Sequence, residues 1–344
     1  MVPETATAAE PIVPSKRRAS GLGLVFGAIR ALVVDTFRQA VASRLMILAV
    51  GLAGLGVLAC LSIKIDGPMS VKVPDEIELV NRDKKPLTSA GAVLGRMTLG
   101  FGLVKVPIFR DVKSEVGFLE AVIARWAAGV AGTLLLLAST AGFLPEFLKP
   151  GAASILLAKP IPRWTLLTGK VTGVLVFVTL LTGAFIVGTW VALGIKTTVW
   201  APGYLLAWPL LVVQFAGLYL TSVVAATCTR NTTVSLFTAL ACWVICLAVN
   251  HGKDTLDVVD GSPEHPQVTR VAIQAAYWVL PKPLDFSKLL DQAVRASEHF
   301  AEAADPDEEV TGGRVGFGLS IASSLAFAVA MLGIAARQLS TTDY

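Results

Sequence analysis

Charge is scarce in this 344-residue chain: Asp, Glu, Lys and Arg together make up 16% of it, and no acidic residue falls in the middle of a long apolar run. That scarcity argues against a carrier coupled to protons through a membrane-buried carboxylate. Histidine is scarcer still. His251, His265 and His299 are too widely spaced for a metal signature, and none lies where it would activate a Ser or Thr of the apolar runs. The four cysteines, Cys60, Cys228, Cys242 and Cys246, all lie within apolar runs. They show neither metal spacing nor a secreted disulfide framework, and read as small buried residues, with Cys242 and Cys246 on one helix face. Thr165 to Val171 lacks the first glycine and the hydroxyl of a G-x-x-x-x-G-K-S/T phosphate loop, and H-E-x-x-H and G-x-S-x-G are absent. The slight positive charge carries no basic cluster interleaved with aromatics, so nucleic acid is not an expected partner. The first apolar run begins near residue 45, too late for a cleavable signal peptide.

Apolar sequence is what the chain has in excess, at 54%. It is gathered into six runs of roughly the ~20 residues that cross a bilayer. Backbone groups in lipid must be satisfied within the segment, so the runs are helices. The expected fold class is an all-α integral membrane protein. Its spans are expected at 45–63, 117–145, 167–195, 203–229, 231–250 and 315–336, within a membrane domain over 44–344.

Residues 1–20, rich in Ala, Thr and Pro and ending in Lys16, Arg17 and Arg18, read as a disordered tail. Over 21–43, Leu22, Val25, Phe26, Ile29, Leu32, Val33, Phe37 and Val41 recur at three- and four-residue steps opposite Arg30, Asp35, Arg38 and Gln39. This predicts an amphipathic helix resting in the headgroup layer, or packed on another element. Gly51, Gly54 and Gly56 of the first span invite close approach of a neighbouring helix. Segment 64–115 is polar, with partial alternation that predicts a few strands in a small lobe outside the membrane. Its Gly-rich part, interrupted by Arg96 and Lys105, is read as extramembrane too. Glu120 and Arg125 are placed on the first turns of span two, near the lipid boundary. Trp190, Trp200, Tyr204 and Trp208 mark an interface. Ser and Thr of the spans are read as bonding to backbone carbonyls, and Gln214 as a helix–helix hydrogen bond. Segment 251–314 carries twelve acidic and six basic residues and ends in an acidic, flexible stretch.

Orientation follows the Lys/Arg bias of short loops. Residues 1–44 hold six basic residues against three acidic ones, and 146–170 holds Lys149, Lys159, Arg163 and Lys170 against Glu146. Both termini, the 146–170 loop and the turn at Arg230 are therefore expected in the cytosol, and 251–314 on the other side of the cell membrane.

The most informative short stretch is 141–170. Pro145, Pro150, Pro160 and Pro162 prevent one continuous helix and leave two helix-sized pieces, 146–149 and 152–159. Phe147, Leu148 and Trp164 offer apolar anchors, and Lys149 and Arg163 offer charge. The pattern suits docking against a soluble partner or lying at the membrane surface; an ordinary connecting loop that only sets topology fits the composition equally.

The run TAGFLPEFLKPGAASILLAKPIPRWTLLTGKVTGVLVFV resembles the membrane subunits of type-2 ABC transporters, the NosY-like permeases in particular. The matching elements are Gly142-Phe143-Leu144-Pro145, Leu156 through Lys159-Pro160-Ile161-Pro162-Arg163, and Gly169-Lys170. DTFRQAVASRLMIL resembles that family's entry into its first span, and WVLPKPLDF the segment before its last. The resemblance implies a six-span permease, not itself an enzyme, that works as a dimer with a second copy or a paralogue. ATP and Mg would be held by two separate ATP-binding subunits, and this chain would hold no cofactor or metal. It also implies that Glu146, Phe147, Leu148, Lys149, Lys159, Pro160 and Arg163 form the surface docked by the ATPase, with the helix at 21–43 as the connecting helix. Export is the expected direction. A membrane scaffold or assembly factor binding a cytosolic partner through the same loop is the alternative; a membrane-embedded enzyme fits poorly for want of buried acids, bases and metal ligands.

Overall fold

The computed structural model describes residues 21–68, 95–108, 111–148, 162–258, 267–282, 285–286, 288–289 and 306–341. The tail at 1–20, the strand-like pattern at 70–80 and the loop pieces at 149–161 lie outside them. The described chain is mainly helical. Helix α1 (Gly21–Ala42) and α2 (Arg44–Leu61) are separated at Ser43. Strands β1 (Lys64–Asp66), β2 (Gly95–Leu99) and β3 (Val104–Ile108) follow. Next come α3 (Val112–Val122), a π-helical stretch (Ile123–Gly132), α4 (Thr133–Thr140) and α5 (Phe143–Phe147). Then α6 (Arg163–Thr197), a 3-10 turn (Pro202–Leu206), α7 (Ala207–Thr229), α8 (Thr232–Val258), α9 (Gln267–Val279) and α10 (Pro306–Thr341) complete the order.

Six helical segments are long and apolar enough to cross a membrane: Arg44–Leu61, Val112–Phe147, Arg163–Thr197, Pro202–Thr229, Thr232–Lys253 and Gly318–Thr341. The fourth is the hub. Its apolar window is 83% buried, against 17% for the first and the fifth. Phe215, Leu218, Tyr219, Val223 and Ala226 carry the core there, with Phe215 and Tyr219 stacked at 5.5 Å one turn apart.

Among lipid tails the hydrophobic effect gives helices no reason to associate, so close packing at small residues must do so. The contact of α1 with α6 shows how. A Cβ on Gly169 would lie 2.6 Å from Leu32 Cδ1, and one on Gly173 would lie 2.6 Å from Thr36 Oγ1. Phe37 then meets Phe177 edge-on at 5.4 Å. Partners 29–32 on 169, 33–36 on 173 and 37 on 177 advance together, so the two helices run side by side in one sense. Of the first-span glycines, Gly56 receives the Phe185 ring, whereas Gly51 and Gly54 have no neighbour within 4 Å.

The strands pair antiparallel in the order β1-β2-β3. The Gly-rich stretch that carries Arg96 and Lys105 forms the β2–β3 hairpin and not a span. Its inner face, with Ile65, Met97 and Ile108, packs with Val112, Val116, Leu193 and Val199 at the end of the bundle opposite Glu146.

Two boundaries differ from the sequence reading. Helix α3 starts at Val112 because Asp111 caps it, accepting from the Ser114 amide at 3.4 Å. Glu120 therefore sits two turns into the helix and is buried by protein. Helix α10 runs back through the acidic stretch read as flexible, to Pro306.

Gly173→Leu should push α1 off α6 and lower stability by about 1–3 kcal/mol, as overpacking does. Thermal unfolding in detergent would read this, with Gly51→Leu, which faces open space, as the unaffected control.

Candidate coupling site

The expected docking residues divide into three groups. Lys149, Lys159 and Pro160 lie outside the described residues. Glu146 and Arg163 flank the loop at its two ends, Glu146 exposed and Arg163 half-buried, while Phe147 is half-buried beside the core. Leu148, read as an apolar anchor, is instead buried in the main core cluster. The anchor that remains on the surface is Trp164, 52% exposed on the first turn of α6. Arg163 Nη1 donates to the Leu339 carbonyl at 3.5 Å, reaching the last turns of α10.

What draws this end together is Lys170. Counted by sequence among the loop's charges, it lies two turns into α6 and is 1% exposed. An ammonium so buried costs several kcal/mol unless its protons are used. Its Nζ donates to Asp35 Oδ2 at 3.0 Å and to Gln39 Oε1 at 2.7 Å. It also stands 5.7 Å from the Phe147 ring centre and 6.0 Å from that of Phe143, at the outer reach of a cation–π contact. Gln39 Nε2 in turn donates to Glu146 Oε2 at 2.9 Å. Helices α1, α5 and α6 are thus tied at one point, on both sides of the loop.

From sequence, Asp35 and Gln39 read only as part of the polar side of α1, with no partner assigned. A signal was there: Asp35 is the only acid between residues 21 and 44, and Gln39 stands four residues on, on the same helix face. Neither identifies Lys170 without the fold, because only the Gly169–Gly173 contact brings the helices within reach.

A second polar cluster lies at the opposite end, built from the segment WVLPKPLDF. Tyr277 OH donates to Asp285 Oδ2, which also accepts from Ser320 Oγ at 2.6 Å. Asn250 Nδ2 donates to the Cys246 carbonyl at 2.7 Å and to the Pro281 carbonyl at 3.4 Å. Lys282 is fully buried, its Nζ 4.0 Å from the Trp278 ring centre and 4.2 Å from that of Tyr277. Burial pushes this ammonium below its ordinary value of 10.5; Asp285 opposes the shift and Lys253 adds to it. The cluster fastens α8, α9 and α10 to one another.

Several hydroxyl groups within the spans are spent on backbone. Ser139, Thr140, Thr179 and Thr182 donate to carbonyls one turn back at 2.6–2.7 Å. Gln214 donates to the Gly129 carbonyl at 3.4 Å, joining α7 to the π-helical stretch. Tyr204, placed at an interface by sequence, is buried and shares a 2.9 Å hydrogen bond with Thr189. Among the described residues, no three of His, Cys, Asp and Glu gather closely enough to hold a metal. No protein-family model matches the chain, and no curated protein matches it.

Lys170→Met should leave Gln39 Oε1 without its donor and cost about 2 kcal/mol, the scale of a hydrogen bond to a charged group. Gln39→Leu should cost a similar amount, and the double variant less than the sum, since the two share one interaction. Thermal denaturation of all four proteins measures this cycle. For Lys282 the pKa is lower in the folded protein than in the unfolded one, so the folded state loses that proton first as pH rises. Stability should therefore increase between the lowered value and about 10.4, where the unfolded chain also deprotonates. Lys282→Met should flatten that alkaline rise of the thermal midpoint.

Proposed function

We propose that this chain is the permease subunit of an ATP-driven transporter of the type-2 ABC class, moving cargo with energy taken from a separate ATP-binding subunit. The observation that carries the reading is the knot at Lys170. A motor pressing on the loop between the second and third spans must move Glu146 or Arg163, which flank it on α5 and α6. Glu146 is hydrogen-bonded to Gln39, and Gln39 to Lys170, so a push on α5 reaches α1 and α6 with little slack. A loop serving only as a connection has no need of such bracing. The resemblance of the 141–170 stretch to the coupling region of NosY-like permeases supports the same reading.

In this proposal the loop end faces the cytosol, α1 rests at the headgroup layer there, and the ATPase grips Glu146, Phe147 and Trp164 together with Lys149, Lys159, Pro160 and Arg163. ATP-driven closure of the motor pair would rock two permease copies against each other, opening the cargo path to alternate sides. ATP and Mg stay on the partner, and this chain contributes no catalytic group.

Trp164→Glu and Glu146→Lys change exposed side chains at the proposed docking face. Each should weaken binding of the purified chain to its ATP-binding subunit by about 2 kcal/mol, roughly 30-fold in Kd, as removal of an interface anchor does. Biolayer interferometry with detergent-solubilised, monodisperse protein reads the change. Unaltered affinity for both variants would remove the loop from the interface.

A further inference from the structure

The β2–β3 turn is apolar, exposed and held in costly backbone conformations. Phe101 is 80% exposed and Leu103 90%, with Val104 beside them at 53%. Gly100, Phe101 and Gly102 have φ of 61°, 58° and 101°, so three successive residues lie at positive φ. Glycine takes that region freely; a bulky residue such as phenylalanine does so at a cost. On a water-facing turn this arrangement would combine a strained backbone with two large side chains in solvent, and nothing would offset either.

The position of the turn resolves the conflict. The Gly100 amide donates to Ser62 Oγ at 3.1 Å and the Phe101 amide to the Ser62 carbonyl at 3.4 Å. Ser62 immediately follows Leu61, the last residue of the first membrane-spanning helix. The turn is therefore fastened to the end of α2, a helix long and apolar enough to cross a membrane. The strands lead away from it: Leu99 faces Val104 next to the turn and Gly95 faces Ile108 at the far end, while β1 departs from Lys64 to Asp66. Below the turn, Leu55 and Leu58 of α2 are 61% and 57% exposed on the span, where lipid covers them.

The sheet face turned away from the core is basic. Lys64 and Lys105 flank Thr98 on either side in the cross-strand register, and Arg96 follows on β2. Asp66 offsets one of these charges through a 3.0 Å ion pair with Lys64. Long basic side chains next to an apolar tip reach for lipid phosphates while their stems stay in apolar surroundings.

We infer that the turn from Leu99 to Val104 is a lipid anchor. It inserts Phe101 and Leu103 into the headgroup–acyl boundary of the leaflet at this end of the bundle, with Lys64 and Lys105 at the phosphate level. The occupant of the exposed patch is the bilayer the chain already spans, continuous with the lipid-facing side of α2. The inference holds whatever the cargo and whether or not a motor docks at the other end.

Nitroxide labels on Phe101→Cys, Leu103→Cys and Asp66→Cys, in a background with Cys60, Cys228, Cys242 and Cys246 replaced by alanine, test it in nanodiscs of phosphatidylcholine and phosphatidylglycerol. At 101 and 103, relaxation by oxygen should exceed that by a water-soluble nickel chelate, placing the label about 5–10 Å below the phosphates. At 66 the order should reverse. Adding Lys105→Glu to the Leu103→Cys chain should shift its label toward water. In the chain with its cysteines intact, Phe101→Trp should add emission that lipids brominated high on the acyl chain quench. Nickel-dominated relaxation at all three sites would put the tip in water and overturn the inference. Exclusion of both reagents at 101 and 103 would overturn it as well, because a second copy or another protein would then cover the patch.

Discussion

One buried ammonium organises the loop end of this molecule. Lys170 sits at a depth where a charge is tolerable only if its protons are taken up, and the acceptors come from a different helix, α1. That single requirement fixes how α1 is rotated about its axis, because Asp35 and Gln39 must both face α6. It also fixes the height of α1 along α6 to within one turn. Once placed, Gln39 has its amide left over, and Glu146 of α5 receives it. The exposed half of the knot, with Asp35 at 60%, lets water share the cost that full burial of an ion pair would impose.

Steric fit and polar satisfaction act together here. Gly169 and Gly173 let α1 approach closely, and Lys170 lies between them in sequence. Close approach without the ammonium would leave two helices in contact but free to slide, since apolar packing in lipid is weakly specific. An ammonium without close approach would be out of reach of Asp35. The opposite end repeats the logic with different groups: Asp285 takes hydroxyl donors from α9 and α10, and Asn250 of α8 holds the Pro281 carbonyl. The bundle is thus pinned by polar contacts near its ends and by small-residue contacts between.

Most of the fold was legible because membrane crossing imposes a strong pattern. Six runs of sufficient length became six helices within a few residues of their expected bounds. The three- and four-residue spacing of Leu22 to Val41 became α1, and the stretch interrupted by Arg96 and Lys105 became a hairpin and not a span. The misreadings share one cause. Leu148 and Lys170 are read from sequence by chemical type and by nearness to a span end, whereas burial depends on which neighbour lies opposite. Leu148 turned inward because the short α5 directs it to the core, leaving Trp164, beyond the prolines, on the surface. Hydropathy records the length of a run, not its facing side.

The same geometry bears on how force would travel if a motor acts at the loop. Helix α6 carries the knot near its first residues and ends at Thr197, a rod of about 50 Å at 1.5 Å per residue. No proline interrupts it, so its hydrogen-bond ladder is continuous over that length. Span two is built differently: its middle is π-helical, a form usually confined to single turns, and its Gly129 carbonyl accepts from Gln214 of the hub helix. Displacement of the knot would therefore run along α6 toward the Tyr204–Thr189 contact near its other end. Along span two it would meet a segment whose backbone bonds are already rearranged. If a motor acts at the loop, a continuous strut beside one with a rearranged ladder is a pairing that would turn a push at one end into rotation at the other.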